Sequence, residues 1–322
     1  MRFTIVGAGA LGSILGAHLI KAGHQVQMIA RGARAEQLRE QGLRVRGLTD
    51  LDLACDVAQA DDAAPACDAL VYTVKTYHMT DALKATRHID AQSVFSVANG
   101  VLKNELLAKD FGRDRVLGCM ADTSGELKAD GQVEFTRNVC LYVGSLVADA
   151  ASRSAAVAQA IDTAGVNARS VGDIASVEWS KFVGWIALFT LCVLGRANTG
   201  RILSNPELAA LAVHQVKEMG AIAAAVKVQL IDQSPLPVAS IIEQPFEAAV
   251  ETVRAVGDTF TRTAPSHRMS SLQDLEAGRR LEVEGTLGHA VRIAHQQHIE
   301  VPTLELCLSL VTGIDALQPS AG

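Results

Sequence analysis

Gly7, Gly9 and Gly12, with Ala10 and Leu11 between them, have the spacing of a turn that lets main-chain N–H groups approach an anion. Glycines at these intervals bend the chain tightly, admit a pyrophosphate to the backbone and pack the following helix against the preceding strand. Arg31 lies 19 positions after Gly12, where a site selective for NAD usually carries an acid, and no acid occurs between Val26 and Arg31. A guanidinium there pairs with a 2′-phosphate that a carboxylate would repel, so the pattern predicts NADP and hydride-transfer chemistry. Taken alone, Arg31 is also compatible with a solvated surface charge; Arg34 is a candidate to assist it, with nothing to distinguish it from an ordinary helix-surface charge. Lys75 in VYTVKTYHM and Asn99–Gly100 in SVANGV each follow an apolar run. Residues just past the carboxyl ends of parallel strands are the ones that meet ligands. An asparagine amide can bond cofactor or substrate through both its atoms. Each of these two motifs alone is also ordinary turn chemistry.

The glycine motif needs its elements in the right order. An apolar run, Phe3 to Val6, precedes it; an amphipathic stretch, Ser13 to Lys21, follows; a second apolar run covers Val26 to Ile29. Strand, glycine turn, helix, strand is the arrangement that gives GAGALG its meaning. Further β-rich runs recur at 69–74, 93–98, 116–119 and 140–146, with helical stretches such as Ala33 to Gln41 and Met79 to Ala85 between them. This alternation predicts a mostly parallel sheet with helices on both faces. VEFT at 133–136 and CLYVG at 140–144 read as a hairpin added near an edge. After about residue 172 strand-like runs almost vanish, so 173–322 reads as a helical domain. Asn205 is expected as an N-cap with Pro206 at the first helical position. QSPLPV at 233–238 and RTAPSH at 262–267 break the helical region, and QPSAG reads as a frayed tail. The fold class expected is α/β: an N-terminal Rossmann-type doubly wound sheet over 1–172 and a C-terminal all-helical domain over 173–322.

Composition excludes several other roles. The 322 residues are 49% hydrophobic, enough for substantial cores in two domains. A net charge of -6 without a long basic block argues against nucleic-acid binding. The apolar stretch Phe182 to Gly195 is too short to span a bilayer and reads as a buried helix. The chain enters a strand at once, without a charged leader, so a cytoplasmic location is expected. Six scattered cysteines form no CxxC pattern, and His295 and His298 have no nearby acid or cysteine suggestive of a metal site, so the pair reads as a surface helix face and no metal site is expected. The long helices after 172 suit either a homodimer interface or one helical core.

At this level the chain resembles the ketopantoate reductase (2-dehydropantoate 2-reductase) family over essentially its whole length. The matching segments are GAGALG, IAR at 29–31, VKTYH at 74–78, NGV at 99–101, EWSKF at 178–182, RANTGRIL at 196–203 and SSLQDLEAGRRLEVEGTLG at 270–288. The resemblance implies NADPH-dependent reduction of a 2-oxo acid in a cleft between the two domains. The best candidate substrate is ketopantoate, reduced to pantoate in pantothenate and coenzyme A biosynthesis. It further implies that Lys181 is the catalytic lysine, that Asn99 positions cofactor and substrate, that Glu282 closes the site, and that Ser270 contacts the substrate carboxylate. The lysine assignment agrees with elementary chemistry. An ammonium can polarise a ketone and protonate its oxygen as hydride arrives, help worth ~10²–10⁴ in rate. The apolar neighbours Phe182, Val183 and Trp185 would draw a lysine pKa down. For Glu282, the residues alone suggest a solvated helix charge. Twelve residues of straight helix span roughly 18 Å; either the chain turns between Ser270 and Glu282, with Gly278 the candidate, or Ser270 is not a ligand.

One departure bears on the substrate. The family commonly carries asparagines four and eight positions after the lysine, and here those positions are Trp185 and Phe189. Their spacing stacks them with Lys181 along one helix face. Either the rings pack into the core while other groups hold the acid, or the substrate has a more apolar tail than ketopantoate. Two further readings remain open: reduction of another ketone or an imine, as in the related opine-type dehydrogenases, and a non-catalytic NADP-binding regulator.

Overall fold

The computed structural model describes residues 1–60, 62, 65–147, 151–233 and 235–318. Of the expected frayed tail, QPSAG at 318–322, only Gln318 is among them, its Nε2 donating to the Arg279 carbonyl at 3.0 Å; the rest lies outside, as does Ser234 in the 233–238 break. The chain divides into two compact units, Met1–Ala175 and Ser176–Gly322.

In the first unit the elements are β1 (Arg2–Val6), α1 (Ala10–Lys21), β2 (Gln25–Ile29), α2 (Gly32–Gln41), β3 (Leu43–Gly47), β4 (Leu51–Leu53), β5 (Asp56–Ala58) and β6 (Cys67–Tyr72). They continue with α3 (Met79–Thr86), β7 (Ala91–Ser96), α4 (Leu102–Phe111), β8 (Leu117–Leu127), β9 (Val133–Ser145), α5 (Ala151–Thr163) and β10 (Ala168–Ser170). A five-stranded parallel sheet runs β5-β2-β1-β6-β7. Both faces are covered, which is why the central strands β1 and β6 are buried almost throughout rather than at alternate residues. In β6, Ala69 and Val71 face a cluster containing residues of α1, α2 and α5. Leu70 and Tyr72 face a second cluster with Leu83 of α3 and Leu107 of α4. This is the doubly wound α/β arrangement.

A second sheet, β10-β9-β3-β4 with β8 along the other edge of β9, changes two expectations. First, VEFT and CLYVG are not two strands of a hairpin. They form one strand, β9, because Val133–Ser145 pairs along its whole length with β8, which holds the intervening Arg137, Asn138 and Val139 extended. Its antiparallel partner is β8, with register shifts between Asp122 and Thr123 and between Ser124 and Gly125. Arg137 is held there by Asp122, Nε to Oδ1, at 2.6 Å. Second, α1 is not amphipathic. Its residues Gly12 to Leu19 are all buried, because the second sheet covers the face expected to meet solvent. Gly16 lies where a Cβ would sit 2.8 Å from Met28 Sδ of β2 and 3.2 Å from Leu43 Cδ1 of β3.

The second unit is helical: α6 (Ile174–Gly195, entered two residues before the division), α7 (Thr199–Ser204), α8 (Pro206–Ala225), α9 (Val238–Glu243), α10 (Phe246–Thr263), α11 (Ser270–Glu276), α12 (Leu287–Gln296) and α13 (Pro302–Ala316). The α6 helix is eight residues longer than the apolar stretch read from the sequence. With 22 residues it is long and apolar enough to cross a membrane by composition, and most of it is buried inside the protein. Asn205 caps α8 as expected: its Oδ1 accepts from the N–H groups of Glu207 and Leu208, both at 3.1 Å, with Pro206 in the first turn. The QSPLPV and RTAPSH segments separate α8 from α9 and α10 from α11. His298 lies past the end of α12 at φ 56, off the helix face it was expected to share with His295. His295 has an acid beside it after all, Glu305 on α13 at 2.6 Å. All six cysteines are free thiols; Cys67, Cys119, Cys140, Cys192 and Cys307 are buried and Cys55 is partly so.

Candidate active site

The cofactor-type residues of the first unit follow four consecutive strands of the parallel sheet. Arg31 lies two residues past β2, the glycine turn directly past β1, Lys75 three residues past β6 and Asn99 three residues past β7. Strands sit about 4.8 Å apart, so these groups line roughly 14 Å of one carboxyl edge. The chain leaves β1 toward β2 and later returns on the other side at β6, so the glycine turn and Lys75 flank the point where the strand order reverses.

The turn itself is built for closeness. Gly7 takes φ +103, a left-handed value that other residues avoid. A Cβ on Gly12 would fall 2.1 Å from the Gly7 carbonyl oxygen and 2.5 Å from Thr73 Oγ1, so only glycine lets α1 begin there. Thr73 donates its hydroxyl to the Gly7 oxygen at 2.5 Å, and its N–H bonds the Val6 carbonyl at 2.9 Å. Gly9 differs from both: its Cβ would meet nothing within 4 Å. It is the N-cap of α1 and brings no side-chain oxygen to the first-turn N–H groups around Ala10 and Leu11. Open space in front of uncapped N–H groups fits the pyrophosphate of a dinucleotide.

Arg31 is exposed, in extended backbone as the N-cap of α2. Lys75 is half-buried and caps a short 3-10 turn, Thr76–His78. Asn99 is half-buried beside Gly100 at φ +79, and its loop is held from behind. Lys103, a buried ammonium on α4, donates to the Ala98 carbonyl at 2.9 Å and to the Cys119 carbonyl at 2.7 Å. Arg34, expected as a surface charge, is instead partly buried and bonded to the glycine turn: Nε donates to the Ala8 carbonyl at 2.9 Å and Nη2 to Ser13 Oγ at 2.9 Å. Burial lowers its pKa from the usual arginine value. Neither Arg34 nor Thr73 stood out in the sequence. The one available signal was their position, three residues after Arg31 and two before Lys75.

In the second unit Lys181, Trp185 and Phe189 share one stripe of α6. Lys181 is half-buried and sits two turns into the helix. The rings of Trp185 and Phe189 are stacked, with centroids 4.9 Å apart and planes 5° apart. Trp185 keeps 5% of its surface exposed and Phe189 none. Glu282 is not a solvated helix charge. The α11 helix ends at Glu276, the chain turns at Gly278 with φ 63, and Glu282 lies in the non-helical segment before α12, only 6% exposed. That segment is pinned by Asp274 accepting from Arg279 Nε at 2.9 Å and by Asp315 accepting from the Leu281 N–H at 2.7 Å. Buried Leu281 and Val283 flank the glutamate. Ser270, the first residue of α11, is exposed, while the next residue, Ser271, is buried.

Comparison with known proteins bears on this arrangement. The model of the ketopantoate reductase PanE/ApbA family matches residues 3–148, and that of its C-terminal domain matches residues 173–315. A 2-dehydropantoate 2-reductase of Archaeoglobus fulgidus is 33% identical over 317 residues, 98% of each chain. A ketopantoate reductase of the PanE/ApbA family from Ralstonia eutropha has a similar structure: TM-score 0.81, 24% identity, 98% of this chain and 99% of that one. A D-mandelate dehydrogenase, solved with NADH and anilino(oxo)acetate, aligns at TM-score 0.86 with 18% identity over 98% of this chain and 99% of that one. The chain therefore belongs to the ketopantoate reductase family and is an oxidoreductase.

Proposed function

We propose that this protein reduces a 2-oxo acid to the 2-hydroxy acid with NADPH, and that ketopantoate is its substrate. The observation that carries the cofactor assignment is the run of Arg31, the glycine turn, Lys75 and Asn99 along one sheet edge. The relative from Archaeoglobus fulgidus, alike over nearly the full length, supports the substrate. When bound, NADPH supplies the hydride. Gly9, Ala10, Leu11 and Gly12 offer backbone N–H groups to the pyrophosphate, and the exposed Arg31 guanidinium meets the 2′-phosphate. Lys75 adds positive charge beside the strand reversal. Asn99 uses its amide to orient the nicotinamide and the reacting carbonyl. Lys181 donates a proton to the carbonyl oxygen as hydride reaches the carbon, and is left as the neutral amine. Glu282 holds donors in place as a buried acceptor, and Ser270 offers its hydroxyl to the substrate carboxylate.

A second substrate reading has its own observation. The stacked Trp185 and Phe189 replace two amides with a rigid apolar surface one and two turns beyond Lys181. Trp185 keeps 5% of its surface exposed and Phe189 none, so any substrate contact falls to Trp185, with Phe189 as its backing. An aryl 2-oxo acid would stack on such a ring. The D-mandelate dehydrogenase of similar fold was solved with anilino(oxo)acetate, an oxo acid that carries an aryl group.

The test is NADPH oxidation with ketopantoate and with a panel of aliphatic and aryl 2-oxo acids. Turnover of ketopantoate that falls by about 10²–10⁴ in Lys181→Ala supports the first reading. Turnover confined to aryl acids transfers the assignment to the second. Tight NADPH binding without turnover of any 2-oxo acid would refute both.

A further inference from the structure

Arg34 makes four hydrogen bonds to three parts of the first unit. Besides Ala8 and Ser13, its Nη1 donates to Gln37 Oε1 on its own helix at 2.6 Å and to the Gly131 carbonyl in the β8–β9 turn at 3.0 Å. No carboxylate among the described residues pairs with it. Gly131 admits this contact because it lacks a side chain: a Cβ there would overlap the Gln37 amide at 2.1 Å. The guanidinium is thus a fixed, uncompensated positive charge behind the glycine turn, placed by α2 and locked by the hairpin.

The Ala8 carbonyl is the informative acceptor. It takes Arg34 Nε at 2.9 Å and Ser13 Oγ at 3.2 Å. In a planar trans peptide the C=O and the next N–H point in opposite directions. Holding the Ala8 oxygen inward therefore holds the Gly9 N–H outward, toward the open space at Gly9. A turn rich in glycine has little stiffness of its own, and without the clamp this peptide is free to rotate and present its oxygen to an incoming anion.

We infer that Arg34 is a positioning residue for the dinucleotide: it orients the Ala8–Gly9 peptide and adds positive potential behind the pyrophosphate without touching the 2′-phosphate. This rests on the nucleotide site proposed above. It predicts a signature distinct from that of Arg31. NADPH and NADH share the pyrophosphate, so loss of Arg34 weakens both by the same factor and leaves their ratio unchanged.

The experiment titrates NADPH and NADH into the full-length protein by nicotinamide fluorescence, for wild type, Arg34→Met and Ser13→Ala. Arg34→Met is expected to raise both Kd values about tenfold, the weight of one charge-assisted hydrogen bond, with kcat at saturating cofactor within about twofold of wild type. Ser13→Ala, which removes the second donor to the Ala8 oxygen together with the acceptor of Arg34 Nη2, is expected to raise both by about threefold. It carries the test if Arg34→Met does not fold. Unchanged Kd values in either folded variant, or a loss confined to NADPH, would overturn the inference while leaving the nucleotide site intact. Wild-type protein that binds neither dinucleotide would overturn the site and the inference together.

Discussion

Two glycines three residues apart should respond to the same methyl group in opposite ways. At Gly12, alanine puts a carbon 2.1 Å from the Gly7 oxygen and 2.5 Å from Thr73 Oγ1. The first gap must open by more than an ångström to reach the 3.4 Å of ordinary contact, and both neighbours belong to short, bonded backbone segments. Overpacking of this kind costs about 1–3 kcal/mol, and separating Thr73 from Gly7 costs about 1 more. Against this, alanine gains up to about 1 kcal/mol in helix propensity. The net is a loss of about 2 kcal/mol, or a fall in Tm of about 4–8 °C for a unit of this size. Because the turn moves, NADPH affinity falls too. At Gly9 the backbone is at φ -70, which alanine adopts without strain, and among the described residues nothing beyond its own chain neighbours lies within 4 Å of the added carbon. Gly9→Ala should leave Tm unchanged or slightly raised, by up to about 1 kcal/mol of stability. It should nevertheless reduce NADPH binding by at least about a hundredfold, since the methyl occupies the place where backbone and phosphate must touch. The assay pairs a thermal melt without ligand with a nicotinamide fluorescence titration. Wild-type NADPH affinity in a folded Gly9→Ala protein would refute the pyrophosphate assignment. An unshifted melt in Gly12→Ala would refute the packing argument.

Arg31→Glu should weaken NADPH by about ten- to a hundredfold while NADH changes little, measured as the ratio of the two Kd values. Burial pushes the imidazole of His289 down to about 4 from an ordinary value of 6.5. Above 6.5 folded and unfolded chains both hold it neutral. As the pH falls from 6.5 toward 4 only the unfolded chain takes up the proton, so this group's contribution to stability is lost there, on the order of 3 kcal/mol in total. Urea unfolding followed from pH 7.5 to 4.5 should show a shallower acid loss in His289→Gln than in wild type; identical slopes would refute the assignment. Asn205→Ala removes both bonds to the first turn of α8 and should cost about 1 kcal/mol, read as a Tm shift of about 2–4 °C.

The parts of this molecule that local rules determine were legible in the residues. GAGALG between two apolar runs, and Asn205 before Pro206, act through backbone geometry within a few positions. What escaped depends on partners far along the chain. α1 looked amphipathic because nothing near it announces the second sheet, whose strands come about 20 to 150 residues later and cover its outer face. VEFT and CLYVG looked like two strands because the polar stretch between them has its partner, Asp122, in β8. Glu282 looked like a helix charge because RRLEVEG has helical composition; the turn at Gly278 and the bond from Asp315 pull it out of a helix and bury it. Arg34 looked like surface for the same reason, since three of its four acceptors lie outside α2. The aromatic pair on α6 was visible from the outset, but not that Phe189 would be wholly enclosed and Trp185 nearly so.

The buried cysteines give this enzyme an internal clock for its own opening. Desolvation raises the thiols of Cys192 to about 12 and Cys307 to about 11, and those of Cys67 and Cys140 rise as well. A thiol that is both enclosed and protonated reacts with a disulfide reagent only after its surroundings open. Cys67, Cys119 and Cys140 belong to the first unit and Cys192 and Cys307 to the second. Labelling kinetics at each position therefore time the breathing of each unit separately, without any engineered probe. Saturating dinucleotide should slow the first set by the linkage that any ligand of the native state imposes. A slowing of the second set as well would measure how far that stabilisation travels along the chain.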